Sequence, residues 1–139
     1  MKKLLLTSAA LLLGVTGNTL AVCSDPQITS TSTPTLTTLI NGNGSGNTVC
    51  AASGNDRWQE QHRLGGQLWD YKKGPSDPVD PTSQVGTWSI ADNKLIHTYG
   101  STSYSYTVHR RQGFGANAFT LCGPQTFDVT FLRGITSCP

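Results

Sequence analysis

Residues 85–109 read VGTWSIADNKLIHTYGSTSYSYTVH, and the pattern in this stretch decides the fold. Apolar or aromatic residues alternate with polar ones in three runs, which are separated by Ala91-Asp92-Asn93 and Gly100-Ser101. A period of two residues is typical of a β-strand that turns one face toward a core. The residues predicted to share one face of each strand are Gly86, Trp88 and Ile90, then Leu95, His97 and Tyr99, then Tyr104, Tyr106 and Val108. The stretch therefore predicts three consecutive antiparallel strands.

Runs of similar length flank this stretch on both sides, with Gly, Pro, Asn and Ser between them. They cover residues 48–52, 57–62, 67–71, 118–122 and 127–132. Short strands at such regular spacing are typical of an antiparallel meander, a sandwich or a barrel, and no window keeps a helical period for three turns. We predict an all-β fold, a small antiparallel meander or barrel of about eight strands cross-linked by disulfide bonds.

The length of 139 residues favours one domain behind an export signal. Residues 1–21 combine two lysines, an apolar run of about 12 residues and a final small residue, which is the pattern of a signal peptide. The run is too short to span a bilayer, so we expect no transmembrane segment. Residues 20–23 resemble a bacterial lipoprotein box, but Val22 stands where that box needs a small residue. We predict a periplasmic or extracellular protein without a lipid anchor at Cys23.

Four cysteines belong to the mature chain, and we expect them to form two disulfide bonds after export. They are Cys23, Cys50, Cys122 and Cys138. Their spacing is too wide for a zinc or redox pair, and lipidation of Cys23 would leave an odd number. Three pairings remain open from the sequence, and proximity along the chain favours Cys23 with Cys50 and Cys122 with Cys138.

The mature chain divides by composition into an arm and a domain. Residues 22–40 form a Ser/Thr-rich N-terminal arm, and residues 41–139 form a single β domain. Because the arm has few apolar residues, we predict an extended and mobile segment, with residues 36–40 as a short first strand. The Asn/Gly-rich tract 41–47 favours a flexible hairpin loop.

The charge balance excludes two classes of partner. The chain has 10 Lys and Arg residues against 8 Asp and Glu residues, and loss of the two signal-peptide lysines makes these numbers equal. Without a basic cluster, we expect neither nucleic acid nor an anionic membrane surface as the partner. An unknown small molecule or protein remains, and the oligomeric state stays open.

Two segments resemble known families. Gly86-Thr87-Trp88 resembles the G-x-W of lipocalin-type barrels, which implies a tryptophan that plugs one end of a barrel. The longer run 58–90, WQEQHRLGGQLWDYKKGPSDPVDPTSQVGTWSI, is similar to an uncharacterised family of small exported bacterial proteins. This second resemblance implies secretion, β structure and a single domain, and it implies no activity.

The predicted strand 57–62 carries the most reactive grouping, because Glu60 and His62 fall on one face with Trp58. A carboxylate two residues from an imidazole can orient it, so Glu60 and His62 are the candidates for a catalytic pair. Ligand contact or a merely polar barrel lining are the alternatives. The residues predicted to contact a ligand are Trp58, Glu60, His62, Trp69, Tyr71 and Trp88.

The three histidines, His62, His97 and His109, lie on three predicted strands and would bind one metal ion if they converged inside a barrel. His97 shares the face of Leu95 and Tyr99, whereas His109 lies on the opposite face of its strand from Tyr106. The three therefore need not meet, and we predict no metal site and no cofactor.

Residues 72–81, KKGPSDPVDP, form the most distinctive loop. Pro75, Pro78 and Pro81 recur at every third position, which is the period of polyproline II. We predict a rigid crossover that covers one barrel end, with a partner-binding loop and a calcium site at Asp77 and Asp80 as alternatives.

These features together predict a secreted, non-enzymatic binding or inhibitory β-barrel whose ligand the sequence does not identify. One alternative is a structural surface or assembly subunit in which the N-terminal arm docks as an extra strand on a neighbour. The other is a hydrolase that uses Glu60 and His62.

Overall fold

The computed structural model describes residues 23–53, 56–73 and 82–139. Within these ranges, eight antiparallel strands follow one another in sequence order and close into a barrel, because β1 pairs with both β2 and β8. The strands are β1 (Asn47–Ser53), β2 (Asp56–Arg63), β3 (Gln67–Lys73), β4 (Ser83–Ala91), β5 (Lys94–Tyr99), β6 (Thr102–Arg110), β7 (Ala118–Cys122) and β8 (Thr126–Arg133). Each of the eight predicted runs lies within one of these strands, so the all-β prediction is confirmed in its barrel form.

The alternating pattern determines which side chains fill the barrel. Leu95 and Val108, which the pattern assigned to inner faces, are fully buried. Between β4 and β5 the chain turns in two residues, Asp92 and Asn93, whose φ angles of 50° and 56° suit the tight hairpin turn that matches strand twist. Local sequence therefore specifies both the strands and their register here.

The prediction that the N-terminal arm is mobile, with a strand at 36–40, is wrong, because these residues form a helix that packs on the barrel. Helix α1 (Leu36–Asn41) buries Leu36, Leu39 and Ile40, which follow the i, i+3, i+4 spacing of a helix face. The Thr35 side chain caps this helix by accepting a hydrogen bond from the Thr38 amide at 3.1 Å. So short a helix is stable because its apolar face packs on the barrel, not because of intrinsic propensity.

The arm reaches this position along β6. Gln27 forms an isolated antiparallel bridge with His109, and the Ile28 amide donates to the Val108 carbonyl at 2.7 Å. Pairing between β5 and β6 stops at Tyr106, so the arm occupies the edge that β6 leaves free beyond it. Backbone groups of the arm therefore form hydrogen bonds with β6 of the same chain.

Helix α1 closes one end of the barrel, which we call the sealed end. Odd-numbered strands begin there and even-numbered strands finish there, and the Asn47 side chain at the start of β1 donates to the Leu39 carbonyl at 2.6 Å. The tract 41–47, predicted as a hairpin loop between strands, instead contains a 3₁₀ turn (Gly42–Gly44) that joins α1 to β1.

The disulfide bonds are Cys23–Cys122 and Cys50–Cys138. The pairing favoured by proximity along the chain is therefore wrong, because barrel closure places β1 beside β8 and brings Cys50 next to the tail that follows β8. The Cys23 sulfur, which lipidation would have to use, is bonded to Cys122. Two disulfide bonds are compatible with an exported protein.

The tail after β8 lies along the outer face of β1 and β2. The Cys138 amide donates to Gln59 Oε1 at 2.8 Å, and the Thr136 amide donates to Thr48 Oγ1 at 3.0 Å. Among the described residues, no helix is long and apolar enough to cross a membrane. The predicted signal peptide at 1–21 and the proline positions Pro75, Pro78 and Pro81, with Asp77 and Asp80, lie outside the described residues.

Candidate functional site

The residues predicted as one contact surface lie on two different faces of the barrel, as far as their side chains are described. Trp58, Glu60, His62 and Trp88 belong to the interior, where Trp88 packs edge to face on His62 with ring centroids 5.8 Å apart. Trp69 lies outside, under the Arg63 guanidinium at 4.0 Å. The prediction of a single surface is therefore wrong for Trp69, because its position in β3 differs by one residue from the inward positions.

The same alternation accounts for the other members of β3. Asp70 pairs with Glu60, and Leu68 pairs with His62, so both occupy inward register positions. Tyr71 is paired with Gln59, two residues along the strand from Trp69. The side chain of Tyr71 is not among the described parts of the structure.

Four inward side chains form a hydrogen-bonded series that we call the polar chain: Tyr99, Glu60, His97 and His62. The Tyr99 hydroxyl donates to Glu60 Oε1 at 2.7 Å, and Glu60 Oε2 lies 3.3 Å from His97 Nδ1. His97 Nε2 lies 2.9 Å from His62 Nε2. The polar chain therefore runs from a partly exposed tyrosine to a fully buried histidine.

The polar chain joins β2 and β5, which are not adjacent in the sheet and face each other across the interior. Sequence reasoning placed Glu60 with His62 and His97 with Tyr99, and both pairs do share a face. It proposed that Glu60 orients His62, whereas the carboxylate contacts His97 instead. Only the curvature of the closed barrel brings the two pairs together.

His109 does not join them, as its position on the opposite strand face predicts. Its Nδ1 lies 2.7 Å from the Asp25 carbonyl, and its Nε2 lies 2.9 Å from Thr107 Oγ1. His109 therefore fixes the N-terminal arm against β6 on the outer side.

Burial opposes charge on the two histidines and the glutamate of the polar chain. It lowers the pKa of His97 from 6.5 to about 4. Burial, with a smaller electrostatic contribution from His97, lowers the pKa of His62 well below its ordinary value. Burial also raises the pKa of Glu60, against the opposing hydrogen bond from Tyr99. Both imidazoles are therefore neutral at pH 7, each with one protonated and one bare nitrogen.

His62 leaves one nitrogen unsatisfied within the described structure. Its Nδ1 is buried without a hydrogen-bond partner, while its Nε2 is used by His97. If Glu60 is ionised, His97 donates to it from Nδ1 and accepts from His62 Nε2, which leaves His62 Nδ1 as a bare acceptor. An unsatisfied buried polar atom costs about 1–3 kcal/mol. Among the described residues, no side chain forms a hydrogen bond with His62 Nδ1, so the hydrogen-bonded series ends at this atom.

Aromatic rings surround the Tyr99 end of the polar chain. Trp58 and Phe127 meet edge to face at 5.5 Å between centroids, and so do Tyr99 and Tyr104 at 6.0 Å. These residues lie where even-numbered strands begin and odd-numbered strands finish, which is the end opposite α1. We call it the aromatic end. Tyr104 keeps 38% of its surface exposed there.

A separate cleft of about 310 Å³ lies beside β1 and β8. It is lined by Arg57, Arg111 and Asp128 and by the Cys50–Cys138 disulfide, and it contains no member of the polar chain. Arg57 donates to the Pro139 carbonyl at 3.0 Å at its border, so the chain terminus already uses one of its cations.

Fold and site together define a class, a disulfide-linked eight-stranded barrel with one sealed end and a Tyr–Glu–His–His series inside. No protein family, no curated protein and no solved structure matches the chain. The resemblances to lipocalin-type barrels and to small exported bacterial proteins therefore stay predictions. Trp88, the tryptophan of the G-x-W segment, lies inside the barrel and donates to the Arg63 carbonyl at 2.9 Å.

Proposed function

We propose that this is an exported, non-enzymatic binding protein of the periplasm or extracellular space, which takes a small molecule at its aromatic end. The observation that carries the proposal is the partly exposed ring surface of Tyr99, Tyr104 and Trp58 above the Glu60 carboxylate. The opposite end is filled by α1, so a ligand has one end to approach.

The residues at the aromatic end indicate the chemistry of the ligand. Exposed ring faces favour a flat or ring-shaped molecule that stacks on them. Glu60 is largely buried, with 15% of its side chain exposed, and it accepts from Tyr99. A ligand that also donates a hydrogen bond, from a hydroxyl or an amine, would match this acceptor.

The two alternatives lack comparable support. A hydrolase needs a base that reaches substrate, and His62 is fully buried with its Nε2 against His97. An assembly subunit needs a free arm, and the arm here buries Ile28, Leu36 and Ile40 against its own barrel. Binding at the aromatic end would use side chains that are already partly exposed, namely Trp58, Tyr99 and Tyr104.

The test is NMR titration of the oxidised protein with methyl glycosides, phenols and alkylammonium ions. We expect at least one class to bind with shifts at Trp58, Tyr99 and Tyr104, and Tyr104→Ala to weaken that binding about tenfold. The matched control is Phe114→Ala, an exposed aromatic residue in the loop between β6 and β7. Equal weakening by both variants, shifts confined to the outer face, or no binding by any class would contradict the proposal.

A further inference from the structure

We infer that the imidazoles of His62 and His97 bind one divalent transition-metal ion of the zinc type, with the Glu60 carboxylate holding the outer nitrogen of His97. Each of the three offers a donor atom, and these atoms lie within 4.8 Å of one another inside the barrel. This inference goes beyond the proposed ligand at the aromatic end and does not depend on it.

The donor atoms select the kind of ion. Imidazole nitrogen suits zinc, copper and nickel, whereas calcium and magnesium prefer sites made of oxygen alone. The Nε2 atoms of His62 and His97 face each other at 2.9 Å. Two nitrogens bound to one tetrahedral ion at about 2.0–2.1 Å lie roughly 3.3 Å apart, so the pair has to separate by only about 0.4 Å.

Glu60 completes the arrangement by its position on the other side of His97. Its Oε2 is 3.3 Å from His97 Nδ1, which can donate to it while Nε2 binds the ion. A carboxylate that holds the second nitrogen of a metal-bound histidine fixes the ring and raises its basicity. The carboxylate also supplies negative charge in a barrel interior where a cation would otherwise be costly.

The protons balance without any further reactant. In the empty site, one proton lies between the two Nε2 atoms. Metal binding places the imidazole protons of both residues on Nδ1, so the ion replaces that shared hydrogen bond, and ionised Glu60 accepts from His97.

The deep burial of both imidazoles is a second argument for a ligand in this region, since His62 is 0% and His97 2% exposed. Two imidazoles and a carboxylate cost more to bury than apolar side chains of the same size, unless each is fully paired. A bound ion would offset the cost by interactions that no neighbouring side chain provides.

The test uses the oxidised full chain, freed of metal by a chelator and titrated with Zn²⁺ by calorimetry and with Co²⁺ by absorbance. We expect one ion per chain. His97→Asn and His62→Asn should each weaken binding at least 100-fold, and Glu60→Gln should weaken it about 10- to 100-fold. The matched control, His109→Asn, removes the histidine that lies outside the site and should leave the affinity unchanged.

NMR of the wild-type protein tests the inference without any variant, which matters where a variant folds poorly. In the wild-type protein, Zn²⁺ should shift the ¹⁵N resonances of Nε2 in His62 and His97 and leave those of His109 unchanged. No stoichiometric binding by the wild type, full affinity in His97→Asn, or metal shifts at His109 alone would overturn the inference. Tyr104→Ala should keep full Zn²⁺ affinity, so failure of the ligand proposal and failure of the metal site are distinguishable.

Discussion

The two ends of this barrel are built from the same eight strands and differ in what fills them. At the sealed end, Leu36 and Ile40 of α1 pack into an apolar cluster with Phe119 and Phe131. At the aromatic end, partly exposed rings surround Glu60 and the polar chain descends from them toward His62. Burial of apolar side chains stabilises the first end, whereas the second retains groups that are costly to bury. The sealed end therefore contributes mainly stability, and the groups that are costly to bury extend from the aromatic end.

The largest effect should follow from releasing the arm that makes the sealed end. Replacing Cys23 and Cys122 by Ser removes a cross-link between residues 99 positions apart, which by chain entropy stabilises the fold by about 4.7 kcal/mol. Urea unfolding measures this loss. Hydrogen exchange should then show faster exchange at the Leu39 amide, which donates to the Thr35 carbonyl.

The second disulfide provides the control for that experiment. Cys50–Cys138 has a similar separation of 88 residues but ties down the tail rather than the arm. Its removal should cost a comparable free energy of unfolding and leave exchange at Leu39 slow. Equal protection of Leu39 in both double variants would show that the arm holds its place without Cys23.

Truncation of the helix face at the sealed end should have the next largest effect. Ile40 is fully buried, so Ile40→Ala should lower the free energy of unfolding by about 2–5 kcal/mol through lost burial and a residual cavity. Ile135, with 41% of its surface exposed, gives a control of identical chemistry. Ile135→Ala should change stability by less than about 0.5 kcal/mol, as measured by urea unfolding. Similar losses in the two variants would contradict the packing role of α1.

Acid should weaken the fold through the polar chain. The pKa of His97 falls from 6.5 to about 4 on folding and that of His62 falls in the same direction, so the unfolded chain binds more protons below pH 6.5. Stability is then lost as pH falls from 6.5 toward 4. Glu60, whose pKa is raised, has the opposite effect and reduces this loss. The net slope should stay below about 2.7 kcal/mol per pH unit, which is the value for two protons.

Urea midpoints at pH 7, 6 and 5, in the presence of a chelator, measure this slope. His97→Asn should flatten the slope, and His109→Asn should leave it as in the wild type. Stability that rises on acidification over this range would show that Glu60 dominates the titration.

Much of the barrel follows from the sequence because strand alternation is a local property. The inward positions of Trp58, Trp88 and His97 were all assigned from a period of two. The same rule also separates Trp69 from Trp58, since Trp69 is paired with Gln61 on the outer register, but this requires the β2–β3 pairing to be known. Local pattern therefore predicts faces within a strand and not which strands face each other.

Closure and packing account for what the sequence did not predict. The contact between Glu60 and His97 and the bond between Cys50 and Cys138 both depend on β1 meeting β8, which is the least local pairing in the fold. Helix α1 had a signal in the spacing of Leu36, Leu39 and Ile40 behind Thr35. The signal covers a single helical turn, and so short a helix forms only on the surface that it buries.

The smallest loss of stability should follow from truncation of a side chain at the aromatic end. Tyr104 lies at the aromatic end, in contact with Tyr99 and 38% exposed, so Tyr104→Ala should lower the free energy of unfolding by less than about 1 kcal/mol. Phe119→Ala, at the buried apolar cluster, should lower it by about 3–5 kcal/mol. Urea unfolding of both variants measures the difference. A cost at Tyr104 as large as that at Phe119 would mean that the aromatic rings are part of the stabilising core, and the division between a stabilising end and a proposed binding end would no longer hold.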